Sequence, residues 1–363
     1  MSIQKKLSPA LLIMLGLAST AQAENTLNMY GLLDLSFGSV ENAHVEGVKA
    51  RTTSVDSNRM TTSFIGFRGS EDLGGGLKAQ FTLESFLRPD TGASGRYGSS
   101  DPMWTRNANV ALVGSFGKVA VGRTMNLIYG QEIGFNPFGG SFGVSPIVRL
   151  TFGGNWINPS SSFNPNVEKS DSGWSNTVAY YSPNLSGFTG TVVYQAGESA
   201  DNAEGDSYAV GGTYVNGAFA ATLGYQEVQS AEAPKVNFTK GQKQKFGLLG
   251  VSYDFGVVKA FGQYGQIKND GFTSATYLSA GDIDLYQVGV SIPVTASGKI
   301  LASYGQGKFK PDASTGDIKH TIVAVGYDHN LSKRTDVYAN YIYDDQTDMK
   351  SGNTYMVGIR HAF

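Results

Sequence analysis

Hydrophobic and polar residues alternate along most of this 363-residue chain, in segments separated by clusters of Gly, Asn, Asp and Ser. Strict alternation puts apolar side chains on one face of an extended strand and polar side chains on the other. The pattern predicts sixteen β-strands, at residues 26–38, 58–70, 76–88, 103–113, 118–125, 174–183, 188–197, 206–215, 218–228, 244–255, 257–268, 283–293, 298–308, 318–330, 334–345 and 352–363.

The connections between the predicted strands alternate in length. Short turns are expected at residues 70–76, 114–117, 183–187, 216–217, 254–256, 293–298 and 330–333, with a longer loop between successive turns. This order predicts an antiparallel up-and-down sheet whose tight turns all lie at one edge. A soluble sandwich with Greek-key connections would not show this regular alternation of short turns and longer loops. The pattern therefore favours an all-β fold, a transmembrane antiparallel up-and-down β-barrel.

The last predicted strand illustrates the two faces of this barrel. Tyr355, Val357 and Ile359 share one face, which we expect to contact lipid, whereas Gly358 and Arg360 share the other. Tyrosines near strand ends fit the aromatic girdles at the two membrane interfaces. After residue 23 no run of 18 apolar residues occurs, so the sequence predicts no membrane-spanning helix.

The first 23 residues have the pattern of a secretory signal peptide. Lys5 and Lys6 precede a compact apolar core at residues 11–18, and small residues at 21–23 resemble a cleavage site. A buried or anchoring helix is the alternative, but the apolar core is too short to span a bilayer. We expect the mature protein to be residues 24–363, a single barrel domain, because no hinge or change of composition divides them.

Charge and composition exclude several classes of function. The net charge is −2, so the chain lacks the basic field that nucleic-acid binding requires. The chain has no cysteine, and its four histidines are scattered without the spacing of metal ligands. We therefore expect no nucleic-acid partner, no metal and no cofactor.

The stretch from Met125 to Ser172 is the one long interruption of the strand pattern. It is rich in glycine, proline and aromatic residues and has almost no charge in its first half, whereas a free surface loop would be more polar. We predict that this loop folds inward and narrows a tube formed by the strands.

Several stretches are similar to the Gram-negative general porin family of betaproteobacteria and neisserial species. They are residues 65–84 (IGFRGSEDLGGGLKAQFTLE), 113–123, 178–190, 250–257, 325–341 and 357–363 (VGIRHAF). The resemblance implies a homotrimer of sixteen-stranded barrels in the outer membrane of a Gram-negative bacterium, each with its third extracellular loop in the lumen. It also implies passive diffusion of small hydrophilic solutes and inorganic ions. The terminal Phe363 resembles the signal read by the barrel assembly machinery.

The resemblance also suggests which charges line the channel. Arg106 matches a basic wall residue of porins, and Arg123 and Arg149 lie just before and within the long loop. Glu132 is the only carboxylate between residues 125 and 166, so it is the candidate for the opposing charge at the constriction. Each of these residues could instead anchor the loop without affecting current.

Other predicted features concern the ends and the wall of the barrel. Arg68 and Arg360 are expected to point inward near the periplasmic mouth. Many relatives carry arginines where this chain has Phe64 and Ala179, so we expect only a weak preference for anions. The family match would put Arg106 on the inner wall and its neighbouring asparagines, at 107 and 109, at a subunit interface.

Three alternatives remain open at this level. Residues 139–143 fit the G-x-S-x-G pattern of hydrolases, but they lie in a glycine-rich loop rather than between a strand and a helix. The barrel could also be a scaffold or adhesin without flux. The loop aromatics either pack the loop or form a surface for a sugar or aromatic acid. Lysines 235, 240, 243 and 245 are expected to be solvated on an outer loop, and their contact with lipopolysaccharide or a phage is left open. Outer-membrane lipid is the expected partner of the barrel's outer face.

Overall fold

The computed structural model describes residues 25–96, 101–153, 172–198, 205–229, 243–270, 281–311 and 316–363. The predicted signal peptide lies outside the described residues. The described strands and helices are β1 Thr26–Val40, β2 Thr52–Ser57, β3 Phe64–Gly74, β4 Leu77–Arg88, β5 Ala93–Ser94, β6 Asn107–Gly114, β7 Gly117–Met125, α1 Leu127–Gly134, α2 Pro146–Phe152, β8 Gly173–Tyr181, β9 Phe188–Gln195, β10 Ser207–Asn216, β11 Phe219–Gln229, β12 Lys243–Asp254, β13 Lys259–Asp270, β14 Gly281–Pro293, β15 Gly298–Pro311, β16 Ile318–Asn330, β17 Thr335–Gln346 and β18 Gly352–Ala362.

The strands form one closed antiparallel sheet. Each barrel strand pairs with the next along the chain, and β18 returns to β1 through pairs running from Leu32 with Ala362 to Ser39 with Tyr355. β2 and β3 both pair with β1 and are two halves of one barrel strand, while the two-residue β5 only extends a loop beside β4. In the described residues the eighteen strands therefore make a barrel of sixteen, as the sequence predicts.

The interruption between β2 and β3 differs from the predicted strand at residues 58–70. Asn58 has a left-handed backbone (φ 69°), and the buried Asp34 carboxylate accepts hydrogen bonds from the N–H groups of Met60 and Thr61, both at 2.7 Å. The Tyr338 hydroxyl donates to the other oxygen of Asp34 at 2.7 Å. These bonds satisfy backbone groups that leave the sheet, because a buried N–H without an acceptor costs about 1–3 kcal/mol.

The two faces of the barrel differ as the alternation predicts. Val110, Leu223 and Val288 are 61%, 65% and 61% exposed, whereas their strand neighbours Ala111 and Gly289 belong to the opposite, buried face. Exposed tyrosines, among them Tyr208, Tyr264, Tyr286, Tyr304 and Tyr355, lie among the exposed aliphatic residues. An apolar outer band with aromatic residues is the surface that a barrel presents to lipid.

The neighbours of Arg106 correct the assignment of faces in β6. Val110 and Leu112 are exposed, so the alternate residues Asn107 and Asn109 belong to the buried face and not to a subunit interface. Asn107 donates to the Glu84 carboxylate, and Asn109 Nδ2 donates to the Arg123 carbonyl at 3.0 Å. Arg106 precedes the first residue of β6, so strand alternation does not orient its side chain.

The two helices complete the core of the barrel. Their apolar side chains belong to one cluster with residues from the buried faces of β12 to β16; its members include Ile128, Val144, Ile147, Leu150, Phe246, Leu248, Ile283, Leu285, Leu301, Phe309 and Ile322. No helix in the described part of the chain has the length and apolarity needed to cross a membrane.

The assignment of faces predicts a position-dependent cost of charge. Leu223→Arg, near the middle of β11 on the exposed face, should lower the free energy of unfolding by about 2–4 kcal/mol in lipid vesicles. Phe219→Arg, at the end of the same strand and on the same face, should cost about 0–1 kcal/mol. Denaturant unfolding followed by tryptophan fluorescence measures both. Equal costs at the two positions would contradict the lipid-facing assignment.

Candidate functional site

The segment from Asn126 to Gly153 is held by two short helices with different starts. Asn126 caps α1, because its side-chain oxygen accepts from the Tyr129 N–H at 3.0 Å. Ser145 precedes α2, and Pro146 occupies the first helical turn, where its missing N–H costs nothing. Local sequence therefore sets both helix starts. The stretch from Met125 to Ser172 was predicted to be a loop, so the two helices were not expected.

Polar side chains of the strands hold this segment against the buried face of the sheet. Gln131 Nε2 in α1 donates to the Leu223 carbonyl at 3.0 Å. Gln263 Nε2 in β13 donates to the carbonyls of Glu132 and Phe135 at 3.1 and 2.9 Å. Gln287 Oε1 in β14 accepts from the Ile147 N–H at 3.1 Å. The segment is thus fixed to β11 through its own Gln131 side chain, and to β13 and β14 through its backbone groups.

A polar cavity of about 570 Å³ lies on the opposite side of the segment. One side of it consists of segment residues, and the other side comes from the loops after β1 and β4 and from the interruption after β2. Its lining residues are Asn42, Asp56, Ser57, Asn58, Arg59, Thr62, Arg88, Asp90, Arg96, Phe142, Gly143, Arg149, Phe152 and Gly153. Four arginines therefore face two aspartates in this space.

The arginines of the cavity differ in how far they are paired. Arg59 binds Asp56 through Nε at 3.0 Å and through a terminal nitrogen at 2.8 Å. Arg88 has no carboxylate partner among the described residues; one terminal nitrogen donates to the Ser94 carbonyl at 3.4 Å, and its buried Nε has no hydrogen-bond acceptor there. Arg88 therefore contributes a positive charge that no described side chain neutralises.

Arg149 is the one predicted constriction residue that lines the cavity. From α2 it forms an ion pair with Asp344 of β17 and donates to Asn42 Oδ1 at 3.1 Å. Asp344 is almost fully buried and also contacts His320 Nε2 at 2.7 Å. The carboxylate lies behind the guanidinium, so the arginine is the group nearer the cavity.

Arg106 and Arg123 lie outside the lining of this cavity. Arg106 pairs with the Glu84 carboxylate, and its guanidinium carbon lies 3.9 Å from the centre of the Phe64 ring. Arg123, at an irregularity of β7, donates to the Thr105 carbonyl and to Ser175 Oγ at 2.8 Å. Both side chains tie a loop or a neighbouring strand to the barrel wall.

The two arginines predicted near the mouth have separate surroundings. The guanidinium carbon of Arg68 lies 4.6 Å from the centre of the Tyr30 ring. Arg360 binds Asp336 at 2.8 Å and Asp328 at 3.0 Å, and it donates to Thr61 Oγ1 at 3.0 Å. Arg360 pairs in register with the buried Asp34, so it belongs to the buried face of β18.

Glu132 has no exposed surface. Thr151 of α2 donates to its Oε1 at 2.8 Å, and its Oε2 has no hydrogen-bond partner among the described residues. Burial raises the pKa of the Glu132 carboxyl well above its usual range, and the Thr151 hydrogen bond only partly opposes this. Glu132 therefore joins α1 to α2 from a buried position that disfavours its charged form, and it does not line the cavity with the arginines.

Sequence reasoning missed three of the four lining arginines, namely Arg59, Arg88 and Arg96. Arg59 lies between β2 and β3, Arg88 ends β4, and Arg96 lies in the connection from β4 to β6. Arg96 pairs with Asp101 at 3.0 Å, and its guanidinium carbon lies 4.6 Å from the centre of the Phe86 ring. The available signal was the position of each arginine in or next to a connection at the long-loop edge of the barrel.

The aromatic residues of the segment mainly pack against one another. The Tyr129 ring stacks on Phe142 with centroids 5.6 Å apart and meets the edge of Phe152 at 5.3 Å. Phe135 and Phe138 are buried, whereas Phe142 and Phe152 also line the polar cavity. Trp156 lies outside the described residues.

The hydrolase-like pattern at residues 139–143 is a packing feature. Ser141 is fully buried; its hydroxyl donates to the Arg59 carbonyl at 2.7 Å and accepts from the Val144 N–H at 2.8 Å. No group of acidic, histidine or cysteine residues in the described part of the chain could hold a metal ion.

Comparison with known proteins identifies the family. The family model of the Gram-negative porins matches residues 10–349. The chain belongs to this family. The porin is 28% identical to outer membrane porin protein 32 of Delftia acidovorans, over 97% of this chain and 98% of that protein.

Two solved structures agree with the fold of this porin. The anion-selective porin from Comamonas acidovorans is 26% identical, with a TM-score of 0.76 over 94% of this chain and 100% of that one. OmpT of Vibrio cholerae, solved in a trimer form, is 16% identical with a TM-score of 0.66 over 93% and 99% of the two chains, which shows likeness of fold. The protein is thus an outer-membrane porin of a Gram-negative bacterium, a passive channel and not an enzyme.

The buried Glu132 carboxyl predicts a dependence of stability on pH. The contribution of Glu132 to the free energy of unfolding is fully present below the ordinary carboxyl pKa of about 4.3. Because the pKa is raised in the folded state, this contribution is lost as pH rises through the raised pKa. Glu132→Gln keeps a neutral hydrogen-bonding group, so its stability should fall less between about pH 4 and pH 9 than that of the wild type. Denaturation midpoints across this range measure the difference. Parallel pH profiles for the two proteins would contradict the role of Glu132.

Proposed function

We propose that this porin carries small hydrophilic solutes and inorganic ions with a weak preference for anions, through a passage narrowed by the segment from Asn126 to Gly153. A polar solute crosses lipid slowly because it must lose its water, and a wet channel removes this cost. Selection then depends on the width and charge of the narrowest part of the channel.

The observation that carries the proposal is the cavity lined by four arginines and two aspartates. The acidic partner of Arg149 is 2% exposed against 12% for the arginine, so this guanidinium is the group nearer to a passing solute, whereas Arg96 is itself only 8% exposed beside Asp101. Two unit charges 4 Å apart interact by about 1 kcal/mol in bulk water and about 4 kcal/mol near a protein surface. Such energies favour anions moderately, because Asp56 and Asp90 oppose part of the field.

An infolded segment is supported by its contacts with the wall. The buried face of a closed barrel surrounds its lumen, and side chains of β13, β14 and β17 on that face bind the segment. We assign the constriction to Arg149 together with Arg59, Arg88 and Asp90. Arg106, Arg123 and Glu132 then act by holding the wall and the segment, and Arg68 and Arg360 contribute charge closer to the periplasmic mouth.

Arg88 provides the sharpest test of the passage. Arg88→Gln should lower the ratio of anion to cation permeability, because it removes the lining charge that no described carboxylate neutralises. Lys268→Gln is the matched control, since Lys268 is an exposed cation on the outer face of β13. Reversal potentials of single channels in planar bilayers under a salt gradient measure the ratio. A strong cation preference of the wild-type channel would overturn the proposal, and an equal effect of the two variants would remove Arg88 from the passage.

We also propose that the porin assembles as a homotrimer in a bilayer containing lipopolysaccharide, after the barrel assembly machinery reads its terminal Phe363. The trimer form of OmpT supports the oligomeric state by likeness of fold. Native mass spectrometry of the refolded protein in mild detergent should give three times the mass of the mature chain. A monomer that conducts as a stable unit would contradict the trimer.

A further inference from the structure

Beneath the segment, the buried face of the sheet carries glycines on six strands. They lie on β10, β11, β12, β14, β15 and β16, and they are Gly211, Gly224, Gly250, Gly289, Gly305 and Gly326. In each of these strands, residues next to the glycine in sequence are directed to the exposed face, as Val288 and Tyr304 illustrate. We call this set the glycine track.

Each glycine of the track touches the segment so closely that a side chain would not fit. A Cβ at Gly224 would lie 1.9 Å from Gln131 Oε1, and a Cβ at Gly305 would lie 2.6 Å from Pro146 Cβ. A Cβ at Gly250 would lie 3.0 Å from Phe135 Cγ. Carbon atoms make favourable contact at about 3.5–4.0 Å, so each added methyl group would force movement.

The three remaining members of the track also approach the segment. A Cβ at Gly211 would lie 2.6 Å from Gln131 Nε2, and one at Gly289 would lie 2.8 Å from Pro137 Cδ. A Cβ at Gly326 would lie 3.2 Å from Phe138 Cε1 and would also meet Asn340 Oδ1 of the wall at 2.1 Å. On β13, where the track has no glycine, Gln263 holds the segment by two hydrogen bonds. The segment thus packs directly against the strand backbone at the six track glycines. On β13 it is held instead by the Gln263 side chain.

Glycines on the exposed face of the same strands do not share this feature. A Cβ at Gly247 in β12 would meet no atom within 4 Å, and one at Gly262 in β13 would meet only Val251 at 3.6 Å. Glycine weakens a strand, because it adds backbone entropy and packs nothing, so a glycine in a strand interior often marks a close approach of another backbone. The track is such an approach, repeated along the path of one segment.

We propose that the glycine track sets the distance between the segment and the wall of β10 to β16, and thereby the width of the passage on the segment's other side. This inference rests on the proposed function, in which the segment narrows the lumen. The cavity lies between segment residues such as Phe142 and Arg149 and the opposite residues Asp56, Arg88 and Asp90. A methyl group added on the track side therefore moves the segment toward the arginine-lined gap.

The test compares alanine variants of two track glycines with a control on the same strand. Gly250→Ala and Gly305→Ala should each lower single-channel conductance by about 1.5-fold, because displacing one side of a narrow passage by about 1 Å removes much of its open section. Gly247→Ala, on the exposed face of β12, should leave the conductance unchanged. Circular dichroism and heat-resistant migration on gels verify that all three variants fold.

A protein with a shortened segment separates the effect of the glycine track from the narrowing of the lumen by the segment itself. Replacing residues 137–146 by a short Gly-Ser linker removes Pro137, which meets Gly289, and Pro146, which is nearest to Gly305, and leaves Leu150 Cδ1 at 3.3 Å from a Cβ at Gly305. This shortened protein should conduct more than the wild type, and Gly305→Ala should have a much smaller effect in it. If the shortened protein conducts as the wild type does, the narrowing role of the segment fails. If it conducts more while Gly250→Ala and Gly305→Ala match the wild type in the full-length chain, the track alone is overturned.

A compensating change covers the case in which Gly250→Ala does not fold. Phe135→Ala removes the ring carbon that the new methyl group would meet at 3.0 Å and leaves Thr222 Cγ2 at 2.9 Å and Phe135 Cβ at 3.2 Å, so the double variant should fold and regain part of the conductance lost in Gly250→Ala. The conductance of the double variant is compared with that of Phe135→Ala alone. A double variant that folds and still conducts about 1.5-fold less than Phe135→Ala would contradict the contact on which the inference depends.

Discussion

The need to satisfy backbone hydrogen bonds in a medium without water is the constraint on which this structure depends. In lipid an unpaired N–H or C=O costs several kcal/mol, so a sheet can cross a membrane only if it has no free edge. The pairing of β18 with β1 removes both edges at once. Closure in turn gives every strand one face toward lipid and one face toward the enclosed space, which fixes the alternation of apolar and polar residues.

Closure also creates a second problem, because a tube of sixteen strands is too wide to be filled by its own side chains. We propose that the segment from Asn126 to Gly153 occupies part of this space. It brings two short helices with apolar side chains and so supplies a core that the strands alone cannot form. Strand glutamines and the Arg149–Asp344 ion pair bind its backbone and its end. The same segment therefore contributes to stability and forms one side of the charged cavity.

The sequence was sufficient for features set by local pattern and insufficient for those set by closure. Strand positions followed from alternation with period two, because lipid and polar surroundings impose it on every strand. The prediction failed at residues 58–63, where Asp34, far away in the chain, binds the backbone of Met60 and Thr61. The family match placed Arg106 on the inner wall and so put Asn107 and Asn109 on the wrong face, because Arg106 lies outside the strand and does not share its alternation.

The same distinction applies to the residues of the candidate site. Arg149 could be found because it lies within the unusual loop, whereas Arg59 and Arg88 lie at one end of the strand pair β3–β4, and the sequence pattern does not show that this end faces the segment. Glu132 looked like an opposing charge because it is the isolated carboxylate of its stretch, but its environment is decided by Thr151 and by the packing of α1 on α2. A carboxyl without exposed surface or a cationic partner has a raised pKa, since desolvation penalises its charged form. The positive field of the cavity is therefore opposed by Asp56 and Asp90 at its surface, and the segment that forms one side of the cavity is held together by a buried carboxyl whose charged form is disfavoured.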